Sequence, residues 1–177
     1  MARPGDVVYV ADGVYREQLD MYNGGGLRGK PMTLRNVSGG RPVVTGPDVL
    51  SPGGWTLFRG RTYAHAWRSN SQQVFIDVLP LTQVGPTGFG HSADQYTVQG
   101  IGLPDLDNRA GTFWYDKNVS ILYVRLANSS SPASHTVEAS TRRRVLFLDS
   151  TRAPYIWIEG LSFRHSNQTA GVSKVPA

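Results

Sequence analysis

The feature that most restricts this chain is how often a turn interrupts it. Its 177 residues carry 20 glycines and 11 prolines, set between short runs of β-branched and aromatic residues. Such punctuation favours short strands joined by tight turns over helices. Val7-Val8-Tyr9-Val10 is closed by Ala11-Asp12-Gly13, where the glycine can take a positive φ. Val14, Tyr15, Leu19 and Met21 read as a second, looser strand, and Gly24 to Gly26 with Gly29 and Lys30-Pro31 as a loop. Met32 to Arg35 and Pro42 to Thr45 give a third and a fourth strand, separated by the turn Ser38-Gly39-Gly40. Runs of Ala, Leu, Glu and Lys at helical spacing are missing, so the predicted class is all-β. Strands this close together leave no room for βαβ units. They suit a meander, or a coil in which each strand stacks on the one a full turn earlier, and alternation satisfies both.

The C-terminal part repeats the style. Val145 to Leu148 is an apolar run, and Tyr155-Ile156-Trp157-Ile158-Glu159 alternates. After Gly160, where the phase resets, Leu161-Ser162-Phe163-Arg164 alternates again. Ile156, Ile158, Leu161 and Phe163 are expected to point inward, and Trp157, Glu159, Ser162 and Arg164 outward. A strand, a turn and two further strands bent about a glycine are what one coil of a β-solenoid needs; stacked coils bury a face that one coil cannot bury alone.

Residues 51–140 differ. They are richer in aromatics, and their strands are longer and hairpin-like. Thr112 to Tyr115 and Ile121 to Leu126 flank the turn Asp116 to Ser120, and Gln73 to Ile76 with Leu79-Pro80-Leu81 suggests another hairpin. Its turn, Asp77-Val78, lacks the glycine that a tight primed turn favours, which speaks against one there. Gly85 to Asn108 is expected as an extended loop. The division is therefore 1–50 for the first coils, 51–140 for a β-rich insertion and 141–177 for the continuing coil.

The chain has no cysteine, which excludes disulfides and thiolate metal sites. No apolar run approaches the roughly 18 residues of a membrane span, and Met1 to Asp6 lead into a strand without a signal-peptide core. The net charge of +5 suits an acidic polysaccharide. No nucleic-acid recognition motif accompanies it, so nucleic acid is not an expected partner. No phosphate-cradling glycine loop or nucleophile elbow follows a strand. His65, His91 and His135 are scattered without zinc-ligand spacing.

Ala2 to Val10 followed by Asp12-Gly13-Val14-Tyr15-Arg16-Glu17, then Lys30 to Leu34 and Arg41 to Val44, resembles the opening coils of right-handed parallel β-helix proteins of the pectate-lyase-like superfamily. Phe113 to Asp116, Leu122 to Leu126, Val137 to Ser140 and Tyr155 to Phe163 are similar to a subgroup in which a β-rich insertion interrupts the early coils. The resemblance implies a right-handed parallel β-helix interrupted by that insertion, in an extracellular or periplasmic protein that processes polysaccharide as a lyase or a glycoside hydrolase. Relatives continue for many more coils, so the chain is expected to be an N-terminal fragment, itself inactive, with its catalytic residues beyond residue 177. The alternatives are a non-catalytic carbohydrate-binding or adhesion β-solenoid, and a β-sandwich with antiparallel pairings.

Several side chains are candidates for chemistry. Asp6 and Asp12, beside Gly5 and Gly13, suit turn stabilisation. Glu159, Arg164 and His165 are the catalytic candidates: an outward carboxylate as acid or base, an arginine to hold a substrate carboxylate, and an imidazole to exchange a proton. Trp157, outward on its strand, and Glu138 are the substrate-binding candidates. Asp105, Asp107 and Asn108 offer oxygen ligands of the kind calcium takes, without the later glycine and glutamate of an EF-hand loop. β-Helix lyases often use calcium, so it is the one cofactor to consider. The plainer reading of these groups is surface ion pairs and a solvated loop.

Overall fold

The computed structural model describes residues 2–85 and 102–167. In chain order the first strands are β1 (Val7–Val10), β2 (Val14–Tyr15), β3 (Leu19–Met21), β4 (Met32–Asn36) and β5 (Val43–Thr45). There follow β6 (Pro47–Val49), β7 (Trp55–Arg59), β8 (Thr62–Ala66), β9 (Val74–Ile76), β10 (Leu79–Pro80) and β11 (Thr82–Gln83). A short helix, α1 (Leu103–Leu106), precedes β12 (Thr112–Asp116), β13 (Ile121–Arg125) and β14 (Val137–Ser140). The last three are β15 (Leu146–Leu148), β16 (Ile156–Glu159) and β17 (Ser162–Arg164). The protein is all-β apart from short helical turns.

The chain divides into two compact units. One comprises residues up to Gly46 together with Arg142–Ser166; the other comprises Pro47–Thr141 and Asn167. In the first unit, β1, β4 and β16 pair in parallel, β2, β5 and β17 pair in parallel, and β3 pairs in parallel with β15. The chain visits these three sheets in a fixed order: first, second, third, then first and second, and after β6–β14 the third, first and second again. None of these pairings is the antiparallel neighbouring that a sandwich requires. The looser second strand expected from Val14 to Met21 is two strands in two different sheets, β2 and β3. Between them the backbone turns a corner, so continuous alternation cannot hold.

Register places like with like. Val8, Leu34 and Ile158 align across the first sheet, and Tyr15, Val44 and Phe163 across the second. Met32, Leu34 and Val44 are buried. β1 is an edge strand, which leaves Val7, Val8 and Tyr9 all exposed. Gly160 turns the chain from β16 to β17 with φ +71°, and a Cβ there would lie 2.1 Å from Asn36 Oδ1. The bend therefore requires glycine twice over, for its dihedral and for its closeness to a side chain.

The second unit is built differently. β10–β9–β14–β6 form an antiparallel sheet, and β11–β12–β13–β8–β7 a five-stranded sheet that is antiparallel except for β11 against β12. The hairpin expected about Asp116 to Ser120 forms with Phe113 opposite Val124 and Tyr115 opposite Leu122. β13 is buried on both faces. Leu122 and Val124 pack with Leu50, Val74, Phe113 and Val137, while Tyr123 packs with Ala64, Val84 and Leu106. A buried polar knot holds one end: Ser140 Oγ donates to Asn167 Oδ1 at 2.6 Å, and Asn167 Nδ2 donates to the Asn70 carbonyl at 2.9 Å.

Two local expectations are corrected here. The β9–β10 connection is a tight two-residue turn after all, with Asp77 at φ 47° and Val78 at φ 68°. Contacts to Asp77 compensate for the missing glycine: its carboxylate accepts the Thr136 N–H at 2.9 Å and lies 2.6 Å from His135 Nδ1. The expected loop from Gly85 to Asn108 contains α1, because Leu106 is fully buried against Val84 and Tyr123 and that anchor orders the turn around it. Pro86, Gly88, Gly90, His91 and Gly100 lie outside the described residues.

Candidate functional site

Alternation along a strand sends every second side chain to the same face. On the first sheet of the first unit, one face therefore carries Val7, Thr33 and Trp157 in one cross-strand row and Tyr9, Arg35 and Glu159 in the next. Tyr9 is 62% exposed and Trp157 57%, values that decide their reading: neither ring is core. Between them Arg35 Nε donates to Glu159 Oε2 at 2.6 Å. Glu159, and to a lesser degree Tyr9, raise the Arg35 guanidinium above its ordinary pKa, so it stays cationic. The face thus presents two aromatic planes and a charge pair, able to stack on flat apolar surfaces and to exchange hydrogen bonds with hydroxyls.

The structure brings together Trp157 and Glu159 of the sequence candidates, and separates the others. Arg164 is exposed on β17, a strand of a different sheet, in register with Thr45. The cation beside Glu159 is Arg35. His165 takes a left-handed backbone (φ 58°), and its carbonyl lies where a side chain at position 46 would fall, 2.4 Å from a Cβ built on Gly46. Glu138 belongs to the other compact unit, on β14, opposite Val49 and Phe75. Asp105 Oδ2 accepts the Gly102 N–H at 2.9 Å, and Asp107 pairs with Arg59 at 2.5 Å. Those two carboxylates are engaged in a helix cap and an ion pair. Among the described residues no group of three or more His, Asp or Glu side chains is placed to hold a metal. Asp6 and Asp12 accept the backbone N–H groups of Arg3 (2.7 Å) and Arg41 (3.1 Å), as turn carboxylates do.

Sequence reasoning missed Arg35 and Tyr9. The signal was present in part: Met32-Thr33-Leu34-Arg35 alternates, which turns Arg35 to the same side as Thr33. What places it beside Glu159 is the parallel register of β4 and β16.

No protein-family profile matches the chain, and no curated protein sequence does. Among solved structures it is similar to XylC in its complex with xylose, with a TM-score of 0.68 and 16% identity over 95% of this chain and 31% of that one. It is also similar to a structure described as a glycoside hydrolase, with a TM-score of 0.64 and 11% identity over 93% of this chain and 44% of that one. At these identities the likeness defines a fold class alone: an all-β protein with parallel sheets in one unit and mainly antiparallel sheets in the other. The chain spans less than half the length of either neighbour.

Proposed function

We propose that this chain forms coils of a right-handed parallel β-helix whose outer face on β1–β4–β16 holds a sugar chain, in a polysaccharide-processing protein of the glycoside hydrolase type acting outside the cytoplasm. The observation that carries the reading is the exposed Tyr9 and Trp157 flanking the Arg35–Glu159 pair on one sheet face. Strands two apart and offset by two residues put the Tyr9 and Trp157 backbones roughly 12 Å from each other. Stacked rings fix a sugar by its apolar face, and the charge pair offers it one donor and one acceptor edge. The fixed order in which the chain returns to three parallel sheets supports the helical coil, and the two structural neighbours support the substrate class.

A second reading, carbohydrate binding without catalysis by this segment, has an observation of its own. Glycoside hydrolysis needs two carboxyl groups about 5–10 Å apart, and among the described residues this face carries a single carboxylate, Glu159, bound to Arg35. Titration of the protein with xylo-oligosaccharides and with polygalacturonate, followed by tryptophan fluorescence, tests both readings and separates a neutral from an acidic ligand. Binding should be about tenfold weaker in Trp157→Ala, the loss typical of an aromatic anchor. No response to either glycan, or equal affinity in the variant, would remove the site.

A further inference from the structure

The second compact unit holds a constellation that the carbohydrate reading does not use. The loop between β13 and β14 carries Asn128, Ser130 and His135, and the β9–β10 turn carries Asp77. His135 Nδ1 lies 2.6 Å from Asp77 Oδ2, and His135 Nε2 lies 2.7 Å from Ser130 Oγ. A carboxylate, an imidazole and a hydroxyl are therefore linked in line through the two ring nitrogens, the arrangement by which acyl-transfer triads work on unrelated folds. Both ends are held. Thr136 N–H donates to Asp77 Oδ1 at 2.9 Å. Asn128 Oδ1 accepts the Ser130 backbone N–H at 3.0 Å and lies 2.7 Å from its Oγ.

Asp77, Asn128 and His135 border a pocket of about 350 Å³ whose walls include Ile76, Leu79, Pro80, Leu81 and Leu126; Ser130 lies outside that lining and adjoins it through its contacts to Asn128 and His135. Fastening the loop to the turn needs only the contacts of Asp77. It needs neither a hydroxyl on the far ring nitrogen nor an apolar hollow alongside.

We propose that Ser130, His135 and Asp77 form a serine esterase site that cleaves short acyl esters, with the acyl chain seated in this pocket. In the tautomer that carries the His135 proton on Nδ1, the Ser130 hydroxyl has one proton and two acceptors, Asn128 Oδ1 and His135 Nε2; rotation about Cβ–Oγ hands it from the first to the second. Ser130 Oγ bonds to the ester carbonyl carbon as that proton passes to Nε2, while Asp77 holds the Nδ1–H and stabilises the imidazolium. The bond from the carbonyl carbon to the alkoxy oxygen then breaks, the alcohol leaves with the proton from Nε2, and the acyl group remains on Ser130. A water molecule gives a proton to His135 as it attacks, the carboxylic acid departs, and Ser130 regains its proton. Water is the only co-reactant. A pocket of this volume lies at the small end of ligand sites, and a short acyl chain fits within it.

The full chain is treated with a biotin-tagged fluorophosphonate and, separately, with p-nitrophenyl butyrate. The expected result is a covalent adduct mapped to Ser130 by tandem mass spectrometry, and nitrophenol release that is abolished in Ser130→Ala. His135→Gln, which removes the base, should slow release about a hundredfold or more. Asp77→Asn, at a positioning residue, should lower kcat by a similar factor with KM unchanged. Adduct mapping uses the unaltered protein, so a variant that fails to fold does not rescue the proposal. Absence of a Ser130 adduct, or release unchanged in Ser130→Ala, overturns it. Neither readout involves Trp157, so this proposal and the sugar site stand or fall separately.

Discussion

Replacing Val78 by glycine should stabilise the protein, and the structure sets the size of the effect. Val78 sits at φ 68° in the β9–β10 turn. For an L residue the left-handed region costs about 1–2 kcal/mol, because Cβ crowds the following carbonyl, and a β-branched side chain is among the worst placed there. Glycine removes that cost but adds chain entropy to the unfolded state, worth about 0.5–1 kcal/mol in the opposite direction. The valine side chain is 77% exposed, so its removal forfeits little burial. The net expectation is a gain of about 0.5–1 kcal/mol, or a melting temperature higher by roughly 2–4 °C for each kcal/mol in a chain of this size. Urea unfolding measures it, read as a higher midpoint with an unchanged slope. Val78→Ala separates the contributions: it keeps a Cβ in the left-handed region and should gain clearly less than glycine. A glycine variant with a lower midpoint than the parent would refute the reasoning. It would mean that the valine side chain makes a contact worth more than its dihedral strain.

Gly160→Ala should cost more than the roughly 1 kcal/mol of left-handed strain, because its Cβ would fall 2.1 Å from Asn36 Oδ1. A urea midpoint equal to that of the parent would mean the Asn36 amide swings away freely. The Asp77 carboxyl is held below its ordinary 3.8 by the His135 hydrogen bond first and the Thr136 N–H second. A depressed folded pKa contributes stability that is present above the unfolded value, near pH 4, and is lost as the pH falls through the folded value. Asp77→Asn should therefore flatten the acid limb of a stability-against-pH curve below about pH 4 relative to the parent. Parallel acid limbs in the two proteins would show that the contact adds nothing at equilibrium.

Some of this was legible in the residues themselves. The all-β class follows from punctuation, since turns this frequent leave no stretch long enough for a stable helix. The Phe113–Tyr115 and Leu122–Val124 hairpin announced itself through two alternating runs joined by a polar turn. The outward placement of Trp157 came from the period of two about Ile156 and Ile158. Each of these rests on interactions between near neighbours. The Asp77-Val78 turn misled because local propensity ranks valine low there, while the carboxylate contacts that tolerate it come from His135 and Thr136, far along the chain. The helix at Leu103–Leu106 was missed for the same reason: its order derives from burial of Leu106, and its own four residues carry no helical period.

By itself, then, the sequence determined the all-β class, the outward side of the strand that carries Trp157, most of the turns and which residue types can carry chemistry. Tertiary structure alone decided which of them meet. Arg35 and Glu159 stand 124 positions apart, and Asp77 and His135 58 apart. Periodicity records the face that a side chain occupies but not the strand that will lie beside it. That pairing is set by register and loop closure across the whole excursion of the chain, where a shift of one residue turns every side chain to the opposite face.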